Sequence, residues 1–244
     1  MTVPGTFDTS ARELIHAGLQ NLDEARSLFR QLSASGFDAA RCGLLLDALQ
    51  HVCDPDVALR NLVDIVNAQV SQGRALDDIM PDDTAFRQLV AVLGVSDAMG
   101  KLMRFRPDLV QAAATDHCNS HLYNHDQRRA HVLESVGADP NDRMSPTATM
   151  DLANAATALR RTYRNQLAAI IAQDTMSDDP IALQPRISSE LSDLADAALE
   201  GALAIARHEI TGSEHCRFAI IGMGKLGAHE PVSYTHLTLP TIRL

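Results

Sequence analysis

Arg217 to Glu230 reads RFAIIGMGKLGAHE, and the fold turns on how this stretch is read. Its opening, Arg217-Phe218-Ala219-Ile220-Ile221, is a short β-branched and aromatic run with the pattern of one buried strand. Gly222, Gly224 and Gly227 follow, with Lys225 between them. A glycine-rich turn after a strand lets backbone N–H groups approach phosphate oxygens without Cβ clashes. Lys225 adds a mobile positive charge suited to neutralising a phosphate. One strand cannot bury both its faces, so this one is expected to join a sheet supplied by later sequence.

Upstream the pattern is helical throughout. Ser10 with Glu13 three residues on is a capping box, and Leu14 to Leu32 follow at three- and four-residue spacing, which predicts one helix to about Leu32. Ser35-Gly36 ends it, and a second apolar helix is expected from Ala39 to Val52. Asp54-Pro55 supplies a cap and a first-turn proline for a third. Beyond the Pro81-Asp82-Asp83 break come a short helix from Phe86, one capped by Ser96, and one started by Pro107. Residues 115–145 are polar and read as the least regular stretch. Two long helices then span Thr147–Ala172 and Ser188–Ile210. The expected fold is therefore mostly α, a helical bundle over 1–212 followed by a first strand and a glycine loop.

Composition agrees. Hydrophobic residues make up 45% of the 244 and aromatics only 4%, with no tryptophan, so the core must be built from Leu, Ala, Val and Ile. A net charge of −10 argues against a surface made for nucleic-acid phosphates or anionic lipid. No apolar run is long enough for a transmembrane helix, no secretory signal pattern opens the chain, and Cys42, Cys53, Cys118 and Cys216 form no CxxC pair. These features predict a cytoplasmic protein with no nucleic-acid or membrane partner.

Several readings of the loop compete. A P-loop needs glycine where Ala219 stands and Ser or Thr where Leu226 stands, so it fails twice. Gly222, Gly224 and Gly227 do spell GxGxxG after a strand, which keeps open the start of a dinucleotide-binding oxidoreductase. A tight connection with glycines for packing alone, in a helical interaction module, also remains open.

IIGMGKLGAHE (Ile220–Glu230) resembles the opening of the nucleotidyltransferase motif, GxGKLGGxEL, of the bifunctional glutamine synthetase adenylyltransferase/adenylyl-removing enzymes. Gly222, Gly224, Lys225, Leu226, Gly227 and Glu230 match, and Ala228 replaces a glycine, a tolerable change if that residue needs no positive φ. LVAVLGVSDAMGKLMRFRPDLVQ (Leu89–Gln111) is similar to the family's LxxxxGxSxxLxxxLxxxPxxL helix pair. LRRTYRNQLAAIIAQD (Leu159–Asp174) and LSDLADAALEGALAIAR (Leu191–Arg207) resemble its two long helices. The likeness covers most of Phe86–Glu230, and the first 85 residues fit only as generic helices.

The resemblance implies the start of an α+β nucleotidyltransferase domain over 213–230, truncated, after the helical region. It implies an enzyme that adds AMP from ATP to a tyrosine of glutamine synthetase and removes it by phosphorolysis to give ADP. The loop's position implies the deadenylylating half. Gly222, Gly224, Lys225 and Gly227 would face the nucleotide phosphates, Mg²⁺ would be the cofactor, and glutamine synthetase and a PII signalling protein the partners. The metal-binding Asp-x-Asp of the family is expected beyond Glu230 and is missing, so no catalytic or metal residue is assigned and the chain is expected to be an inactive fragment. Asp54-Pro55-Asp56 has the right letters, but capping explains it better. Pro231–Leu244 (PVSYTHLTLPTIRL) resembles a translated sequencing adapter and is read as a non-native tail.

Two other groups stand out. His117, His121 and His125, with Cys118, would share a helix face that zinc could use, though a solvated face is the better reading. Arg160, Arg161 and Arg164 form a basic stripe beside Tyr163, suited to the glutamine synthetase surface or a nucleotide phosphate, though a solvated face paired with nearby acids is the better reading. Met99 and Met103 read as core filling.

Overall fold

The computed structural model describes residues 9–114, 123–177, 179–213, 216 and 218–230. They divide into two compact units, Met1–Ser120 with Ile171–Asp178 and His121–Ile170 with Asp179–Leu244.

The first unit holds α1 (Ala11–His16), α2 (Leu22–Ala34), α3 (Ala39–Leu49), α4 (Pro55–Ser71), α5 (Asp83–Val95), α6 (Asp97–Met103) and α7 (Pro107–Ala114), with a 3₁₀ turn at Leu76–Asp78. The Ser10/Glu13 capping box forms, with the Ser10 N–H donating to Glu13 Oε2 at 2.8 Å and the Glu13 N–H to Ser10 Oγ at 3.3 Å. The single helix expected to reach Leu32 is instead two. Gly18 takes φ +81°, and Asn21 caps a new helix. Periodicity misses this break because Leu14 and Leu19 on one side and Ala25, Phe29 and Leu32 on the other all feed one core. Asp56 holds the corner, accepting the N–H groups of Gln20 (3.0 Å) and Asn21 (3.3 Å).

At the centre of this unit, α4 and α5 bury Leu59, Leu62, Ile65, Phe86, Leu89 and Leu93. The Leu89–Gln111 signature can be read as packing. A Cβ on Gly94 would come within 2.9 Å of Val52, and one on Gly100 within 2.3 Å of Asn61. Ser96 ends α5 and caps α6, accepting the Met99 N–H at 3.2 Å. Met99 and Met103 are core residues, as expected, and Pro107 opens α7.

The second unit contains α8 (His125–Ser135), most of α9 (Leu152–Thr175), α10 (Pro180–Glu209) and a single turn, α11 (Gly224–Gly227). The final residues of α9, from Ile171, belong to the first unit. The stretch 115–145, expected to be irregular, contains α8, opened by an Asn124/Gln127 capping box. It reads as polar because two of its buried residues are Arg128 and Arg129. The first of the two long helices starts at Leu152 rather than Thr147, and Leu152 is exposed. Asp151 accepts the Asn154 N–H at 3.1 Å there, while Ala148 is held back on α10 by its N–H to the Ala204 carbonyl at 3.0 Å. The last long helix starts eight residues before Ser188, because Asp179 caps it, Pro180 opens it and Pro185 is accommodated within it. Leu133, Val136, Ala155, Ala204 and Ile205 form one core cluster, and Ile170, Ile187 and Leu194 another. Gly201 permits the close contact, since a Cβ there would lie 2.8 Å from Val132 and 3.0 Å from Leu159.

The fold is mostly α, and among the described residues there is no strand. Phe218 to Ile221 form none, which corrects the sequence expectation. A β-ladder requires a partner backbone, and no other described segment is a strand, while Phe218, Ile220 and Ile221 are exposed. No helix among the described residues is long and apolar enough to cross a membrane.

Candidate functional site

The glycine loop is anchored through Leu226. Leu226, 6% exposed, is the only buried residue among the described residues of 218–230. Around it the chain doubles back, with the Gly222 carbonyl against Gly227: a Cβ on Gly227 would come within 2.4 Å of that oxygen. Gly224 takes φ +62°, the left-handed conformation that glycine adopts without strain. Two of the three glycines are thus fixed by backbone geometry, one by close approach and one by dihedral.

The loop closes with a Schellman motif. The His229 N–H donates to the Leu226 carbonyl at 3.1 Å and the Glu230 N–H to the Lys225 carbonyl at 2.8 Å. The positive φ of this motif falls on His229 (+54°), whereas Ala228 has φ −87°. Ala228 therefore needs no positive φ, which is the condition under which it can replace the family's glycine. Gly222, Gly224, Lys225 and Gly227 are brought together on this one exposed turn.

The loop forms one wall of a cleft of about 430 Å³, lined on its other side by α10 residues Asp196, Glu200 and Arg207 and by Arg143, Met144 and Pro146. Arg129 secures the 139–146 segment. It pairs bidentately with Glu200 (2.7 and 2.6 Å) and donates to the carbonyls of Pro140 (2.6 Å) and Asp142 (2.9 Å). Arg207 adds a bond to the Pro146 carbonyl at 3.1 Å. Asp142 accepts the N–H groups of Ser145 and Met144, and these bonds hold its carboxyl below the usual range. Partial desolvation raises the Asp196 carboxyl, with His229 and His125 acting against it.

Beneath this surface lies a buried polar network that sequence reading missed. Arg128, 1% exposed, donates to Gln166 Oε1 (2.8 Å) and Glu190 Oε2 (3.2 Å), and Glu190 also accepts from Arg186 Nε (3.1 Å). Burial pushes Glu190 upward, opposed by Arg186 and Arg128. This network ties α8, α9 and α10 together. Its signal was the Gln127–Arg129 stretch, which periodicity alone assigns to solvent.

Other expected groups are placed as follows. Asp54 accepts the Val57 N–H at 2.9 Å as a helix cap and Asp56 is engaged at the α2 corner, so this Asp-x-Asp is structural. His117, His121 and Cys118 lie outside the described residues, and His125 opens α8. Among the described residues no group of three His, Cys, Asp or Glu side chains could hold a metal ion. Cys42 is buried, Cys53 and Cys216 are exposed, and all three are free. Arg160 and Arg161 are exposed on α9, with Arg164 half-buried. Pro231–Leu244 lies outside the described residues.

Fold and loop together define a class: helical proteins in which long, closely packed helices lead into a glycine- and lysine-bearing turn. The chain belongs to the glutamate-ammonia ligase adenylyltransferase family, whose model matches residues 86–234. A bifunctional glutamine synthetase adenylyltransferase/adenylyl-removing enzyme from Bifidobacterium longum is 66% identical over 224 residues, covering 92% of this chain and 21% of the relative. Enzymes of the same name from Cutibacterium acnes (30% identical, 89% of this chain, 22% of the relative) and Leifsonia xyli (32%, 89% and 21%) also match. The chain thus spans about a fifth of the length of these relatives. The likeness also extends ahead of Phe86, where the sequence offered only generic helices. No solved structure gives a significant match.

Proposed function

We propose that this chain is the helical region and opening loop of the deadenylylating half of a bifunctional glutamine synthetase adenylyltransferase/adenylyl-removing enzyme. The longer enzyme transfers AMP from ATP to a tyrosine of glutamine synthetase. It also removes that AMP by phosphorolysis, phosphate attacking the adenylyl phosphorus and ADP leaving the tyrosine oxygen. A PII signalling protein sets the direction, and the reaction takes place in the cytoplasm.

The observation that carries this reading is the loop itself. It is a glycine turn fixed by the Gly222–Gly227 approach and Gly224's φ of +62°, with Lys225 on its exposed side, inside the family match. Gly222, Gly224, Lys225 and Gly227 face the nucleotide phosphates in this role. Backbone N–H groups and the Lys225 ammonium offset charge that builds on the phosphoryl oxygens during displacement.

Mg²⁺, as the cofactor of such a reaction, would supply positive charge to stabilise the transferred phosphoryl group. The residues described in this chain do not fit it, since Asp54 and Asp56 are committed to backbone N–H groups. The metal-binding carboxylates belong beyond Glu230. The 244-residue chain is accordingly inactive alone: mixed with adenylylated glutamine synthetase, phosphate and Mg²⁺, it releases no ADP. Release of ADP by this chain would refute that division of labour.

A further inference from the structure

Arg160 and Arg164 sit four residues apart on α9, about 6 Å along one helix face. Between Asp151 and Asp174 this helix carries three arginines and no acidic residue, in a chain whose net charge is −10. The salt bridges of the described residues engage Arg26, Arg41, Arg60, Arg87, Arg104, Arg106, Arg128, Arg129, Arg143 and Arg186. Arg160 and Arg164 have no such partner among the described residues. The reverse side of the helix is anchored, with Ala155, Gln166 and Ala169 buried, and the arginine face itself ends one turn on at the buried Ala168. Tyr163 and Leu167 pack beside them against the Ile170–Leu194 cluster. The arginines therefore stand on a fixed platform.

We propose that the Arg160/Arg164 face of α9 docks an acidic patch on the enzyme's protein substrate, an inference that rests on the reading of the chain as part of a glutamine synthetase-modifying enzyme. Three arguments select this occupant. Small anions are taken by concave sites, and these arginines line neither the cleft at the glycine loop nor the one bounded by His51, Arg87 and Thr175. A long polyanion such as nucleic acid is repelled by the surrounding charge of −10. A limited carboxylate patch on a folded protein meets the stripe without facing the rest of the acidic surface, and arginine is the side chain that pairs carboxylates bidentately and recurs at interface hot spots. Opposed charges of this kind act on association rate and salt dependence.

The test is binding of the 244-residue chain to adenylylated glutamine synthetase at low and moderate salt, comparing wild type with Arg160→Glu/Arg164→Glu. Circular dichroism confirms that the helices are retained. Arg160→Gln/Arg164→Gln serves as a milder second variant. The expected result is salt-sensitive binding that weakens about tenfold or more on charge reversal and by less on neutralisation. Equal affinity of wild type and variants, or no binding by the wild type, overturns the proposal. So does a loss confined to ATP or a DNA duplex, which would assign the stripe to another anion. Deadenylylation by the longer enzyme is measured separately, so failure of the docking surface leaves the functional reading standing.

Discussion

The carbonyl oxygen of Gly222 occupies the space in which a Gly227 side chain would begin, 2.4 Å from the position of its Cβ. The glycine loop exists in this shape only while residue 227 has no Cβ. Gly227→Ala should push the two arms of the turn apart and loosen Leu226. Because the loop is exposed, thermal stability should hardly change, while amide exchange across 218–230 speeds up. Unchanged exchange there would show that the close approach is not what shapes the loop.

The buried pair Arg128–Glu190 should behave differently, since it lies between helices. Removing one partner strands the other charge, so Arg128→Ala or Glu190→Ala should cost about 3–5 kcal/mol in urea unfolding followed by circular dichroism. Replacing both, as Arg128→Met with Glu190→Leu, should cost far less than the two single losses together. Additive losses would mean that the pair is not coupled.

Asn61 and Gly100 make a second coupled contact, on α4 and α6. Asn61 Nδ2 donates to the Leu93 carbonyl at 3.2 Å, and a Cβ on Gly100 would fall 2.3 Å from Asn61 Cγ. Gly100→Ala should destabilise by about 1–3 kcal/mol through overpacking. Adding Asn61→Ala vacates that space, so the double variant should be more stable than Gly100→Ala alone. A further loss of stability in the double variant would contradict the contact.

These contacts explain which parts of the fold were legible. Caps such as Ser10, Asp54 and Ser96 were readable because a side chain and a backbone N–H three residues away settle them locally. The break at Gly18 was not, because the apolar face continues across it into the same core. Helix α8 was hidden because Arg128 and Arg129 are buried by partners on α9 and α10, far away in sequence, and by carbonyls of the 140–142 segment. The strand expected at Phe218–Ile221 depends on a partner that no described segment supplies. In the loop, the three glycines and Lys225 were visible as letters, but the positive φ at His229 rather than Ala228 required the geometry.

Acid should destabilise the chain through its turn and cap carboxylates. Hydrogen bonds from Ser10 hold Glu13 low, N–H groups of Ser145 and Met144 do so for Asp142, and Asn154 does so for Asp151. Their stabilising effect is full above the ordinary carboxylate range and is lost as pH falls through the lowered values. Glu190 has the opposite sign: its raised value means that stability declines as pH rises from the ordinary to the raised value. Urea midpoints from about pH 6 to about pH 3 should therefore drop less steeply in Asp142→Asn/Asp151→Asn than in wild type. A parallel drop would remove these two groups from the acid response.

The assignment of the loop to the phosphate of the deadenylylating half is tested most directly by Lys225→Ala in the longer enzyme, with both reactions followed on the same glutamine synthetase. ADP release from the adenylylated form in phosphate and Mg²⁺ should fall by about a hundredfold or more, while transfer of AMP from ATP continues at an undiminished rate. Unchanged ADP release, or loss of AMP transfer in its place, would contradict the account.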